Sequence, residues 1–245
     1  DASEALQVVS SVNKNTRTAI IDALPSGAAG SLLSMLPPGD ASDVLRAVST
    51  EHAIECIRAM EPKAAARLLQ ELPEERTSAF LLALPPSTAS PILTHMCEND
   101  EGRLSVSKAI IALTTTNIDK ATSHVSGIIQ RDPKSAAQIV QLLSEEIRGD
   151  MLALMDARNA GKLLQYLGPE LAARAVIMAV SRGSGPAVSA VALESLARLG
   201  IWPPSVDVPR SGAKVRGPLA DVLLLMFDIE AEISAKILSA LDPEI

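Results

Sequence analysis

Apolar residues recur along the first 96 residues with a period of 12. We number each repeat so that its last apolar residue is position 12; position 5 is then mostly small, and positions 8 and 9 are both apolar. The position-12 residues are Val12, Leu24, Leu36, Val48, Met60, Leu72, Leu84 and Met96. The residues at position 5 include Ala5, Ala29, Ala41, Ala53, Ala65, Thr77 and Ala89. The pairs at positions 8 and 9 include Leu32-Leu33, Val44-Leu45, Cys56-Ile57, Leu68-Leu69, Phe80-Leu81 and Ile92-Leu93.

This spacing predicts one short helix in each repeat. Positions 5, 8, 9 and 12 follow the i, i+3, i+4, i+7 pattern that places side chains on one face of an α-helix. Proline, serine, aspartate or glycine follows most position-12 residues, and these residues start or stop helices. Each repeat therefore predicts a helix of about 9 residues, about 13 Å long at the rise of an α-helix.

Short helices at a fixed period predict a solenoid. A helix of this length is marginal alone and must bury its apolar face against its neighbours. The small residue at position 5 would let two helix backbones approach closely. One uninterrupted helix is the alternative, and it is excluded by Pro25, Pro37, Pro38, Pro62, Pro73, Pro85 and Pro86. The predicted fold is all-α, an α-solenoid of short helices whose superhelical hand the sequence leaves open.

The period stops after Met96 and returns after Arg131, with position-12 residues at Leu143, Met155 and Leu167. We predict five segments: a first helical repeat block (1–98), a helical connector (99–130), a second repeat block (131–200), a loop or linker (201–218) and a terminal helical repeat pair (219–245). Helices are expected over 104–113, 118–129, 187–199, 219–227 and 229–241. In the last of these, Ile237 and Leu238 are expected at the core positions 8 and 9. The threonine-rich stretch 114–117 is expected to interrupt the connector, and Lys214 and Arg216 make the linker locally basic.

Composition supports a helical protein and narrows the range of partners. Hydrophobic residues make up 47% of the chain and aromatic residues only 2%, and the net charge is −7. Strand-forming aromatics are thus scarce, which favours helix. An acidic chain with scattered basic residues is not expected to bind nucleic acid. No run of about 18 apolar residues is present, so no membrane insertion is expected.

The repeats resemble those of a known family. Met60-Glu61-Pro62-Lys63-Ala64-Ala65-Ala66-Arg67-Leu68-Leu69-Gln70-Glu71-Leu72-Pro73 is similar to the N-terminal helical superhelix of MgtE-type magnesium transporters. The repeat also resembles the middle domain of the flagellar switch protein FliG and the motor chaperone MotE. Residues 1–96 and 131–180 carry the resemblance most clearly. It implies either a mechanical or assembly role or, for the MgtE type, a domain that senses magnesium.

Three residues are candidates for partner binding. Glu51-His52 match the start of a Glu-His-Pro-Gln-Arg-type motif of the FliG middle domain, although Ala53-Ile54-Glu55 depart from it. The resemblance therefore implies partner contacts at Glu51 and His52. Trp202 opens the linker, and tryptophan is enriched at the energetic centres of interfaces. Packing of the linker onto the second block is the alternative role for Trp202.

No residue pattern predicts catalysis, a cofactor or a metal. His52 and Cys56 lie at i and i+4, which is compatible with a pair of zinc ligands, but two ligands are too few and Cys56 falls on the predicted buried face. Cys97 falls in a predicted turn, and two cysteines make no disulfide framework. Phosphate-binding glycine loops and nucleophile motifs are missing from the sequence. We therefore expect no enzymatic activity and no cofactor.

Two functions remain. The first is a non-enzymatic scaffold or adaptor that binds another protein, as a helix or tail in the solenoid groove or as an assembly neighbour, within a flagellar or motility apparatus if the FliG resemblance extends to function. The second is a cytoplasmic, magnesium-sensing regulatory domain of an MgtE-type cation transporter. Both predict a cytoplasmic location. A start at Asp1 rather than methionine is compatible with the removal of a signal, an anchor or further domains.

Overall fold

The computed structural model describes residues 2–206 and 217–243, and within these ranges it contains α-helices and no β-strand. The all-α prediction is confirmed. The chain divides into two compact units, residues 1–113 and residues 114–245. The predicted connector 99–130 contains the point of division.

The first unit contains nine helices among the residues described. They are α1 (Ala2–Ser11), α2 (Lys14–Ala23), α3 (Ser26–Met35), α4 (Pro38–Ala47), α5 (Thr50–Ala59), α6 (Pro62–Gln70), α7 (Glu74–Ala83), α8 (Pro86–Met96) and α9 (Asp100–Thr116), which ends just past the division. The helices α4, α6 and α8 begin with proline at the first helical position, where its missing N–H costs no hydrogen bond. Ser49 caps α5, since its side chain accepts a hydrogen bond from the main-chain N–H of His52.

The second unit contains eight helices in its described part. They are α10 (Ile118–Arg131), α11 (Pro133–Gln141), α12 (Glu145–Leu154), α13 (Ala157–Leu167), α14 (Pro169–Ser181), α15 (Pro186–Leu199), α16 (Pro218–Ile229) and α17 (Ala231–Leu238). Asn117, Asp132, Ser144 and Asp156 cap α10 to α13 with their side chains.

Each unit is a stack in which each helix packs against the next helix but one along the chain. In the first unit α1, α3, α5 and α7 form one layer and α2, α4, α6 and α8 form the other. In the second unit α10, α12, α14 and α16 form one layer and α11, α13, α15 and α17 the other. This is the arrangement of a helical solenoid, in which neighbouring repeats share a continuous core.

The 12-residue register determines which side chains are buried. Position 9 is buried in helix after helix, as at Ile21, Leu33, Leu45, Ile57, Leu69, Leu81, Leu93, Val140, Leu152, Leu164 and Val176. Position 5 is fully buried wherever it is alanine in α3 to α8. The predicted core face is therefore confirmed in both units.

Helices of one layer approach each other closely at position 6 in several repeats. Gly30, Gly149 and Gly161 all occupy it. A Cβ on Gly30 would lie 2.7 Å from the main-chain oxygen of Cys56 in α5, and one on Gly161 would lie 2.5 Å from Oγ of Ser195 in α15. Glycine is needed there because the next helix of the layer fills the space that a methyl group would take.

The structure corrects three expectations about the connector and the terminal repeat pair. The threonines at 114–116 continue α9 and do not interrupt the connector; only Asn117 lies outside both helices, as the cap of α10. The last helix starts at Ala231 and not at 229, because Glu230 has extended backbone with φ of −152°. Leu238, at position 9, was expected in the core and is 47% exposed, because no described helix follows α17 in its layer.

None of the described helices is long and apolar enough to cross a membrane.

Candidate functional site

Arg17 is a buried charged side chain in the first unit. It occupies position 5, where most repeats have alanine, and it is almost fully buried. Its Nε donates to the carbonyl oxygen of Val9 over 3.0 Å, and its Nη1 lies 2.9 Å from Oδ1 of Asp40. The last carbonyls of a helix lack partners within that helix. Arg17 supplies a hydrogen-bond donor to one of these carbonyls in α1, and its pairing with Asp40 joins α2 to α4.

Arg148 repeats this device in the second unit. It too occupies position 5 and is buried, and its Nη1 donates to the carbonyl oxygen of Gln141 at the end of α11 over 3.2 Å. Thr77 has the same position in α7, and its Oγ1 donates to the carbonyl of Leu69 over 3.2 Å. The larger and polar residues at position 5 thus bind the end of the preceding helix.

Side chains from other positions also bind helix ends. Arg76 donates through Nη2 to the carbonyl of Leu45 in α4 over 2.8 Å. Gln70 donates through Nε2 to the carbonyl of Met96 in α8 over 3.0 Å. These bonds connect helices of different repeats, so the polar side chains concerned stabilise the stack.

The structure places Glu51 and His52 at the start of α5 in different environments. Glu51 is exposed. His52 is half-buried, and its Nε2 lies 3.0 Å from the carbonyl oxygen of Ile21 in α2. The ring of His52 therefore has a partner inside the first unit, and Glu51 is the residue of this pair that faces solvent.

Trp202 lies in the second unit, between α15 and α16 along the chain. Its Nε1 donates to Oδ2 of Asp221 in α16 over 2.9 Å, and the side chain is half-buried. Trp202 is thus attached to α16. The basic residues Lys214 and Arg216 lie outside the described residues.

The cysteines are buried thiols in the first unit. Cys56 lies at position 8 of α5, and burial raises the pKa of its thiol to about 11, with smaller contributions from the charges of Glu55 and Asp22. A thiol with so high a pKa stays protonated at neutral pH and is a poor nucleophile and a poor metal ligand. Cys97 lies in a turn after α8, as expected, and is buried.

Within the described residues no group of three or more histidine, cysteine, aspartate and glutamate side chains is placed to hold a metal ion. Many of the carboxylates are paired instead. Asp43 contacts Lys14 over 3.1 Å, Asp150 contacts Arg182 over 2.5 Å, and Glu145 lies 3.5 Å from Arg174. The pairing with Asp150 raises the pKa of Arg182 above its ordinary value.

An exposed apolar residue recurs at position 11, at the end of several helices. In the first unit α3, α5 and α7 end with Met35, Ala59 and Ala83, and all three side chains are exposed. Because these helices stack on one another, the three ends form a series along one layer, which we call the helix-end row. In the second unit the exposed Leu142 and Leu154 occupy the same position.

Comparison with known proteins finds a family match for the first part of the chain. Residues 1–96 match the family model described as the MgtE intracellular N domain. No curated protein and no solved structure matches the chain. The resemblance to FliG and MotE stays a prediction. The matched segment has the 12-residue period, the buried position-9 side chains and the two-layer stack described above, and residues 1–96 are thus similar to the MgtE N-terminal domain in sequence.

Proposed function

We propose that this protein is a non-enzymatic scaffold or adaptor that binds another protein in the cytoplasm. The helix-end row is the observation that supports the proposal most strongly. It offers Met35, Ala59 and Ala83 at the same exposed position of three successive helices of one layer. Binding solenoids present extended surfaces of this kind.

The arrangement of polar side chains is consistent with a scaffold. Arg17, Arg76 and Arg148 bind main-chain carbonyls at helix ends, and Gln70 does the same. Their donors serve to hold the stack together. The partner of such a surface would be a helix or an extended tail, or an assembly neighbour such as a flagellar component. Glu51, which is exposed next to His52, and Trp202 remain predicted contact residues.

Capture from a cell extract with the intact chain tests this function. The row variant Met35→Asp/Ala83→Asp introduces two charges at position 11 of α3 and α7. Its control, Ser31→Asp/Ala79→Asp, introduces the same charges at the exposed position 7 of the same two helices. Both should keep the helical circular dichroism spectrum of the parent, because all four residues are exposed.

We expect the parent and the control to capture the same partner from the extract. With that partner purified, the row variant should bind it with about tenfold lower affinity than the parent. Equal retention by the row variant and the control would place binding elsewhere. If the intact chain captures no protein while a substrate screen finds turnover, the scaffold is the wrong function.

The family match favours one other function, a cytoplasmic regulatory domain of an MgtE-type transporter that responds to magnesium. The match covers 1–96, and the helical stack of the first unit would be the responding element. A shift of the melting temperature with magnesium would separate this function from the scaffold.

A further inference from the structure

Helix α16 departs from the repeat at a position that other helices keep polar or small. Position 7 is exposed or half-exposed and is occupied in α2 to α8 and α11 to α14 by Ala19, Ser31, Asp43, Glu55, Arg67, Ala79, Pro91, Gln138, Asp150, Lys162 and Arg174. In α16 the buried Val222 and Met226 correspond to positions 5 and 9, so position 7 is Leu224, which is 48% exposed. Polar or small residues at this position limit the apolar area on the outside of a helix, so the leucine adds apolar surface to α16.

A second large apolar residue lies beside Leu224. Phe227 is three residues further along the helix, on the same face, and is 39% exposed. Ala220, four residues before Leu224, is also exposed. We call these three residues the α16 face. Single exposed apolar residues are ordinary on protein surfaces, but an adjacent leucine and phenylalanine on one helix make a continuous apolar stripe.

The opposite side of α16 already has its partners. Val222 and Met226 are fully buried, and α16 packs against α14, α15 and α17. Trp202 holds the flank of the helix through Asp221. The helix is thus fixed in place by its buried side, and the α16 face is left outward on a rigid element.

The helix pair that carries the α16 face, α16 and α17, is acidic. Residues 217–243 contain five acidic residues and one lysine: Asp221, Asp228, Glu230, Glu232, Asp242 and Lys236. Lys236 is paired with Glu232 over 2.7 Å, whereas Asp228 and Glu230 are exposed at the end of α16 beside Phe227. A like-charged second copy would be repelled from this surface, and a basic partner would be attracted to it.

We propose that the α16 face binds a basic amphipathic helix of a partner protein. The inference rests on the proposed scaffold function and specifies the surface and the chemistry of the partner. The apolar side of the partner helix packs on Leu224 and Phe227, and its lysines or arginines lie against Asp228 and Glu230. An amphipathic helix that places its apolar side on an apolar surface is a common mode of peptide recognition.

The test uses the intact chain and a fluorescent model peptide of about 15 residues, composed of leucine and lysine with leucines at helical spacing. A peptide with glutamate in place of lysine is the control for charge. The variant Leu224→Ser/Phe227→Ser removes the α16 face. Its matched control, Val188→Ser/Val191→Ser, removes two apolar residues of the same unit that are likewise three residues apart on one helix, α15, and are 43% and 46% exposed.

We expect the leucine–lysine peptide to bind the parent and the matched control equally, and the α16 variant about tenfold more weakly. The glutamate peptide should bind at least about tenfold more weakly than the lysine peptide, and affinity for the lysine peptide should fall in about 0.5 M salt. Equal binding by the two serine variants, or no binding by the parent, would overturn the proposal. So would sedimentation showing that the parent is a dimer that the α16 variant abolishes, since a second copy would then cover the face.

The outcome is separable from that of the scaffold test. If the peptide fails to distinguish the variants while the helix-end row still decides capture from extract, the scaffold function stands and the α16 face does not. If neither surface binds, both proposals fail.

Discussion

At the scale of single residues, position 9 of the repeat shows how directly the sequence pattern determines burial. Leu69 is fully buried at this position of α6, and Arg67, two residues earlier, is exposed. The two residues differ in orientation by about 200° around the helix, at about 100° per residue. A pattern read from the sequence alone therefore predicts both environments.

We expect Leu69→Asp to unfold the first unit or to lower its free energy of unfolding by at least about 3 kcal/mol, because it places an unpaired charge in the core. Arg67→Asp should change it by less than about 0.5 kcal/mol. Chemical denaturation monitored by circular dichroism measures both. Equal losses for the two variants would show that the register is wrong.

Arg17 could not be predicted as a helix-end ligand from the pattern. Position 5 is small in most repeats, and the sequence does not reveal that a guanidinium at this position reaches the carbonyl of Val9 and the carboxylate of Asp40. His52 likewise resembled the start of a motif for partner binding, whereas its ring lies against the carbonyl of Ile21. Contacts between helices from different repeats depend on the stack, and the one-dimensional pattern does not contain them.

Arg17→Met tests this role. Methionine keeps the apolar stem but leaves the carbonyl oxygen of Val9 without its donor, and we expect a loss of about 1–3 kcal/mol in the free energy of unfolding. Arg58→Met is the control, because Arg58 is half-exposed and pairs with Glu55 in its own helix. The control should lose less than about 0.5 kcal/mol. A loss of the same size in both variants would mean that the bond to Val9 contributes nothing.

At the scale of helices, the stack depends on close contact between helices that are second neighbours along the chain. Proline and helix-capping residues determine where each helix begins, and these starts follow from the sequence. The close contact at position 6 does not follow from the sequence, because a glycine within a helix normally indicates only a weak helix former. The need for glycine at position 30 is apparent only when α5 is packed against α3.

Two glycines of α3 allow this contact to be tested within one helix. A Cβ at Gly30 would meet the main chain of α5, whereas a Cβ at Gly27 would meet nothing within 4 Å. We expect Gly30→Ala to destabilise the unit by about 1–3 kcal/mol through overpacking. Gly27→Ala should stabilise it by about 0.5–1 kcal/mol, because alanine is the better helix former. Stabilisation by both substitutions in a thermal melt would rule out the close approach of α3 and α5.

At the scale of the whole molecule, the sequence predicted the all-α class, the stacked helices of both repeat blocks and most helix starts. It missed the extent of α9, because it predicted an interruption at the three threonines although none of them is a helix breaker. It also placed Leu238 in the core, because a periodic pattern does not show whether a neighbouring helix covers a given position 9. The α16 face shows the same limit, because an apolar helix is expected to be buried, whereas Leu224 and Phe227 are exposed.

Magnesium distinguishes the two proposed functions of the molecule. A ligand that binds only the folded state raises its stability by mass action. For the scaffold we expect no change in Tm on adding millimolar magnesium at matched ionic strength. A rise with magnesium that sodium does not reproduce would favour the regulatory domain of an MgtE-type transporter.

The 12-residue register underlies the fold and both proposed surfaces, and the protein's seven methionines report on it. Met35 is exposed and Met178 is half-buried, both at position 11; the others are buried, namely Met60, Met96, Met151, Met155 and Met226. The most direct measurement is the rate of oxidation of each methionine by hydrogen peroxide in the native protein, followed by peptide mass spectrometry. We predict that Met35 is oxidised fastest, Met178 next, and the buried methionines at least about tenfold more slowly than Met35, with the differences lost in denaturant. Oxidation of Met96, Met151 or Met226 as fast as that of Met35 in the folded protein would contradict the register.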